Sequence, residues 1–217
     1  MKKFTKYILF ISLGLLCSCS DYLDIVPDNV TTLDIVFNNK NTAQRYLANC
    51  YHFVPDHGSV KRIPGMGAGH ECWFYTDKDS YFDNEVSFYI ARGLQNTNAP
   101  YANYWDGEGG SKLPMFRAIR ECNIFLSYVR DQHKVNDLTD SERKRWIAEV
   151  NVLKAYYHFF LFEHYGPIPI VDEALPVSTS SEGVKVTRMP VDQVVDFMVK
   201  FCLLYTSPSP RDPKTSR

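Results

Sequence analysis

"AEVNVLKAYYHFFLFEHYGPIPIVDEAL", residues 148–175, decides the fold of this chain. From Val150 onward the stretch is near-continuously apolar, which predicts a helix buried on most of its sides. Gly166 stands where a residue just past a helix end is expected, and Pro167 cannot continue the helix. Upstream, Thr139 and Glu142 in "TDSE" form a capping box, in which hydroxyl and carboxylate each satisfy a backbone N–H of the other residue. Together these signals define one long helix from Thr139 to Tyr165. Beyond it, "PIPIVDEALPVSTSSEG" is punctuated by prolines and predicts an extended connection.

Working outward, a second helix is expected over roughly 112–132, with Pro114 tolerable in its first turn. Its Met115, Ile119, Cys122, Leu126 and Val129 alternate by four and three, an apolar stripe. Further upstream a helix starts near Asn41 or Thr42, both good N-caps. There Ala43, Leu47, Cys50, Tyr51 and Val54 share a face, and Pro55 ends the pattern. Towards the C-terminus a helix starts at Pro190, with Val191, Val194, Val195 and Met198 on its apolar side. Residues 56–110 keep no period; they form a long Gly-, acid- and ring-rich loop region with one short element near 84–92. The segment after the N-terminal leader, "SDYLDIVPDNVTTLDIVFNN", reads as polar and extended. Helix pairs with small residues at tight spots (Ala118, Ala148, Ala155) suit a mostly α, tetratricopeptide-like superhelix, although no clean repeat is visible.

The 217 residues are 45% apolar and 23% charged, as in ordinary globular proteins. A net charge of −1 gives no electrostatic case for nucleic acid. The 14 Tyr, 14 Phe and 3 Trp supply a ring-rich core and candidate stacking surfaces. At the N-terminus, "MKKFTK" and "YILFISLGLL" form a basic region and an apolar run too short to span a bilayer, hence an export signal over 1–18. "LLCSCS" resembles a bacterial lipobox. Cys19 is the expected lipid attachment point, since Leu16 would fill the small position before Cys17. Acyl chains on Cys19 would hold the domain on a membrane. Of the six Cys, Cys17 leaves with the signal, Cys19 takes lipid and Cys202 falls in the tail set aside below; Cys50, Cys72 and Cys122 then remain, an odd and widely spaced set that sets no disulfide or zinc pattern. Cys50 and Cys122 lie on apolar helix faces and are expected as buried free thiols.

The stretch at 148–175 resembles the signature helix of the SusD/RagB family: Ala-Glu-Ala-x-x-Leu-Arg-Ala-x-x-Tyr, then Gly-x-Val-Pro-Leu-Val. Ala148, Glu149, Leu153, Ala155, Tyr157, Gly166, Pro169 and Val171 match. Lys154 replaces the usual Arg, which puts a two-point contact there in question. "CSDYLDIVP", "WDGEGGSKLPMFRAIRECNIFL" and "TRMPVDQVVDFMV" resemble further family segments in the same order. The resemblance implies an outer-membrane lipoprotein of the Bacteroidetes group, exposed at the cell exterior. Such proteins lie on a SusC-like TonB-dependent transporter, capture glycans or peptides and hand them over for import. The implied domain is the N-terminal part of a SusD-like fold over 19–201. In the family the last helix continues differently; here "CLLYTSPSPRD" reads as a translated transposase sequencing adapter, and Thr215-Ser216-Arg217 follows in frame with its library end. Residues 202–217 are therefore expected not to be biological, with Val191, Val194, Val195 and Met198 left partly exposed.

No catalytic constellation is expected. "DKDSYFDNE" lacks the Gly and spacing of a calcium loop. The six His show no metal-ligand spacing. "GEGG" at 107–110 lacks the Lys-Ser/Thr of a phosphate loop and reads as a turn before a helix. No cofactor is expected and no enzyme. For ligand binding, the ring-rich "HECWFYTDKDSYF" is the candidate. Trp73, Tyr75, Tyr81 and Phe82 would stack on sugar faces, and Asp77 and Asp79 would accept from hydroxyls. Trp105 and Trp146 are expected in the core. The alternative reading is a structural interaction protein whose helix pairs dock a partner and bind no sugar.

Overall fold

The computed structural model describes residues 32–59, 64–69, 86–109, 111–176, 179–180, 183 and 185–203. The chain divides into two compact units, Met1–Ile35 and Val36–Arg217. Of the first, only 32–35 are described, and they enter a single helical turn, α1 (Leu33–Val36), inside the stretch expected to be extended. The second unit holds α2 (Lys40–Tyr51), α3 (Pro64–Gly67), α4 (Val86–Ala91), α5 (Met115–Arg130), α6 (Asp140–Tyr165) and α7 (Val191–Leu203). No strand occurs among the described residues. The short element expected near 84–92 is α4.

α6 begins with the expected capping box and ends at Gly166, whose φ of 69° lies in the left-handed region that favours glycine. α5 buries all five residues of its predicted stripe. The two form an antiparallel hairpin, closed where Arg143 near the start of α6 reaches the end of α5. Its guanidinium donates to the carbonyls of Val129 at 2.6 Å, Asp131 at 3.1 Å, and Lys134 and Val135 at 3.0 Å. Helix ends leave carbonyls without partners, and a cation there satisfies them while complementing the helix dipole. Val135 adopts φ 51°, strained for a β-branched residue. It is held because its N–H donates to Phe37 O while Arg143 takes its carbonyl.

α2 lies along both hairpin helices. Its N-cap is Asn39, whose side chain accepts from the Thr42 N–H at 3.1 Å, so the helix starts before the expected Asn41 or Thr42. The reason is tertiary: the Lys40 N–H donates to both Asp137 carboxylate oxygens at 2.8 and 2.9 Å, and the Lys40 ammonium pairs with Glu142. Fully buried Phe37 stacks on Tyr128 at 4.5 Å, anchoring the entry to α2. Ala43, Leu47 and Cys50 are buried as expected, but Tyr51 and Val54 are exposed, because α2 ends at Tyr51 and the stripe with it. Cys50 and Cys122 are buried free thiols. α7 packs on α6, burying Val194 and Met198 and leaving Val191 and Val195 exposed. The expected exposure of all four thus holds for two, since α6 itself covers the other pair. No helix among the described residues is long and apolar enough to cross a membrane.

Candidate functional site

The ligand candidates Trp73, Tyr75, Asp77, Asp79, Tyr81 and Phe82 lie outside the described residues, as do the lipid-attachment candidate Cys19 and residues 204–217. Trp146 is in the core as expected, and Trp105 is half-buried against that core while also lining a cleft. Its partners across that cleft come from the segment after Gly166, some sixty residues later, which the local pattern around Trp105 does not announce.

Trp105 sits in the turn that carries "GEGG". The Asn103 side chain accepts from the Trp105 N–H at 3.1 Å, and the Tyr165 hydroxyl accepts from the Tyr104 N–H at 2.9 Å. Gly109, at φ 58°, brings the turn so close that an added Cβ would lie 2.0 Å from the Pro100 carbonyl oxygen. This fixes the indole between two edge-on rings, Phe116 at 4.6 Å and Tyr165 at 5.6 Å. Arg188 covers one indole face from 5.2 Å, while its guanidinium donates to Pro167 O at 3.3 Å.

The opposite wall is the extended connection after α6. Pro167 and Pro169 keep it out of helix, and the Met189 N–H donates to Ile168 O at 3.0 Å, tying it to residues leading into α7. Trp105, Phe116, Arg120, Glu173 and Leu175 enclose a cleft of about 330 Å³, within the range of small-molecule sites. Arg120 Nη1 donates to Leu175 O at 2.9 Å, which leaves its other N–H groups for a ligand. The cleft therefore offers aromatic faces, guanidinium donors and a carboxylate acceptor.

Behind that wall lies a buried polar cluster. Lys154 is fully buried; its ammonium donates to Asp172 O at 2.6 Å and pairs with the Asp172 carboxylate. The two-point contact in question for a lysine here is thus made, with carbonyl and carboxylate of one residue. The rings of Phe197 and Phe201 flank the ammonium at 5.6 and 5.0 Å. Burial pulls the Lys154 pKa below the ordinary lysine value, and Asp172 opposes that shift. His158 is also fully buried, and burial depresses its pKa to about 4, so it is neutral at pH 7.

Two other hollows are weaker candidates. One of about 560 Å³ between α6 and α7 is lined by Val152, Tyr156, Phe159, Val195 and Val199, with almost no polar atom to orient a ligand. One of about 240 Å³ lies beside Tyr101, Tyr104 and His164. Among the described residues no cluster of His, Cys, Asp and Glu could hold a metal ion.

A family model, SusD-like_3, described as starch-binding associating with outer membrane, matches residues 21–204. No curated protein matches the chain. A crystal structure of a SusD-like protein from Bacteroides fragilis superposes with a TM-score of 0.57 at 16% identity, over 80% of this chain and 30% of that one. A laminarin-binding SusD-like protein does so with a TM-score of 0.57 at 18% identity, over 77% of this chain and 34% of that one. This chain spans about a third of the length of those structures, and the likeness is one of fold: mostly α, tetratricopeptide-like helix pairs.

Proposed function

We propose, since the chain belongs to the SusD-like family of starch-binding proteins associating with the outer membrane, that it captures saccharides at the cell surface and passes them to a SusC-like TonB-dependent transporter. The observation that carries this reading is the cleft, which Trp105, Phe116, Arg120 and Glu173 line together. A pyranose offers an apolar C–H face and a rim of hydroxyls. The rings would receive the face, the guanidinium would donate to hydroxyl oxygens and the carboxylate would accept from hydroxyl hydrogens. One cation and one anion at the rim favour a neutral sugar over a charged one. A SusD-like protein of similar fold that binds laminarin is consistent with a saccharide ligand. The protein would bind its ligand without transforming it. A lipid anchor at Cys19 would keep it at the membrane, and Trp73, Tyr75, Asp77, Asp79, Tyr81 and Phe82 of the ring-rich loop would supply further ligand contacts. Residues 1–18 would be removed as a signal peptide, and residues 202–217 would be a tail of non-biological origin, although the last helix runs to Leu203 and the family model matches to residue 204.

The test is a glycan array followed by titration calorimetry on the full chain, with Trp105→Ala and Glu173→Ala beside it. Binding of a neutral oligosaccharide, weakened about tenfold or more by Trp105→Ala, is the expected result. Absence of binding to any glycan, or binding that neither variant alters, would overturn the assignment.

A further inference from the structure

The wall of the cleft has no sheet to hold it, yet its backbone is fixed from behind by side chains of α5 and α6. Asn123 Nδ2 donates to Val171 O at 3.1 Å, and the Val171 N–H donates to His158 Nε2 at 3.4 Å. Lys154 takes both the carbonyl and the carboxylate of Asp172, and Arg120 takes Leu175 O at 2.9 Å. Polar groups of residues 171, 172 and 175 are therefore satisfied on the helix side, while Val171, Glu173, Ala174 and Leu175 line the cleft. Lys154 is the centre of this set. Its side chain has no exposure, whereas that of Asp172 is 53% exposed, so the buried helix reaches out to hold a surface segment. Burying an ammonium is costly unless its donors are used. An apolar residue would fill this core position with less penalty, and it could not grip the wall.

We propose that Lys154 is a positioning residue of the cleft: through Asp172 it holds the 171–175 backbone so that Glu173 and Leu175 stand opposite Trp105 and Phe116. The role in ligand capture rests on the cleft being the saccharide site; the clamp itself does not. Because Phe197 and Phe201 of α7 shield the ammonium, the seating of α7 also bears on the wall.

The experiment compares the full chain with Lys154→Met, Lys154→Arg and Asp172→Asn by site-resolved hydrogen exchange and saccharide titration. Lys154→Met keeps the length of the side chain and removes its donors. It should speed exchange at the amides of 171–175 about tenfold or more, with the α5 amides unchanged, and weaken saccharide binding by a similar factor. Lys154→Arg, which keeps charge and donors, should restore both. If Lys154→Met does not fold, Asp172→Asn at the exposed end decides by the same readouts, with a smaller change of the same kind. Unaltered exchange at 171–175, or acceleration spread evenly over the core helices, overturns the proposal. Loosened exchange with undiminished binding overturns the positioning role. Loosened exchange in a chain that binds no saccharide even as wild type upholds the clamp and defeats the saccharide reading instead.

Discussion

His158 stands buried between Lys154 and Val171, and its partners fix its tautomer. The Val171 N–H donates to Nε2, so Nδ1 carries the hydrogen and donates to Lys154 O at 2.7 Å. Protonation would put a second cation beside the Lys154 ammonium in a fully buried site. The folded pKa of about 4 lies below the ordinary 6.5, so between these values the unfolded chain binds more protons. The resulting stability is fully present above about pH 6.5 and is lost as pH falls through 4, on the order of 3 kcal/mol in all. Urea melts from pH 7 to pH 4 should show that slope, and His158→Gln should flatten it. A slope unchanged in the variant would assign the acid sensitivity elsewhere. Glu142 acts in a lower window. Hydrogen bonds from Lys40 and Thr139 hold its carboxyl down at about 2, so its contribution is present above about 4.5 and lost towards pH 2.

At the level of elements, Arg143 joins the end of α5 to the start of α6. Replacing it with Met would take a donor from the carbonyls of Val129, Asp131, Lys134 and Val135, of which Asp131 and Val135 keep a backbone donor, and would remove one of the contacts that hold Val135 at positive φ. A loss of about 3 kcal/mol in chemical denaturation is expected. The single ammonium of a lysine would reach too few carbonyls, so Arg143→Lys should recover less than half; full recovery would show that charge alone matters. These helices are also the most legible parts of the sequence. The α5 stripe, the Thr139–Glu142 box and Gly166 are local signals, and local chemistry decides them. The start of α2 is less legible, because "NNKNT" offers several caps and the choice falls to Asp137, far along the chain. Trp105 is only half legible for the same reason: it packs against the core as expected, but that it also lines a cleft depends on the wall built after Gly166. The residues first singled out for stacking, Trp73 to Phe82, lie outside the described residues, so the cleft adds to that reading without replacing it.

For the whole molecule, the outer side of α6 and α7 is the feature with the widest reach. Phe159 and Val199 are each 46% exposed and Val195 37%, around an almost purely apolar groove. Uncovered apolar surface of this kind drives association. The chain should bind a hydrophobic dye strongly and self-associate at micromolar concentration, as read by fluorescence and light scattering. Phe159→Ser with Val199→Lys should reduce both without lowering the melting midpoint by more than a few degrees. Weak dye binding and a monodisperse monomer in the unaltered chain would show that the groove is closed in solution.

The α5–α6 hairpin also has a bearing on time. Its two helices are linked through residues 131–139 alone, whereas the bonds that hold α2 to it join residues 97 and 107 positions apart. Short closure costs less entropy, so the hairpin condenses early and α2 docks late. Stopped-flow refolding should be slowed by Ala118→Gly and left almost unchanged by Leu47→Ala, which would instead hasten unfolding. On a ribosome α2 emerges well before the surface it needs. Its apolar face stays uncovered until Tyr165 has cleared the exit.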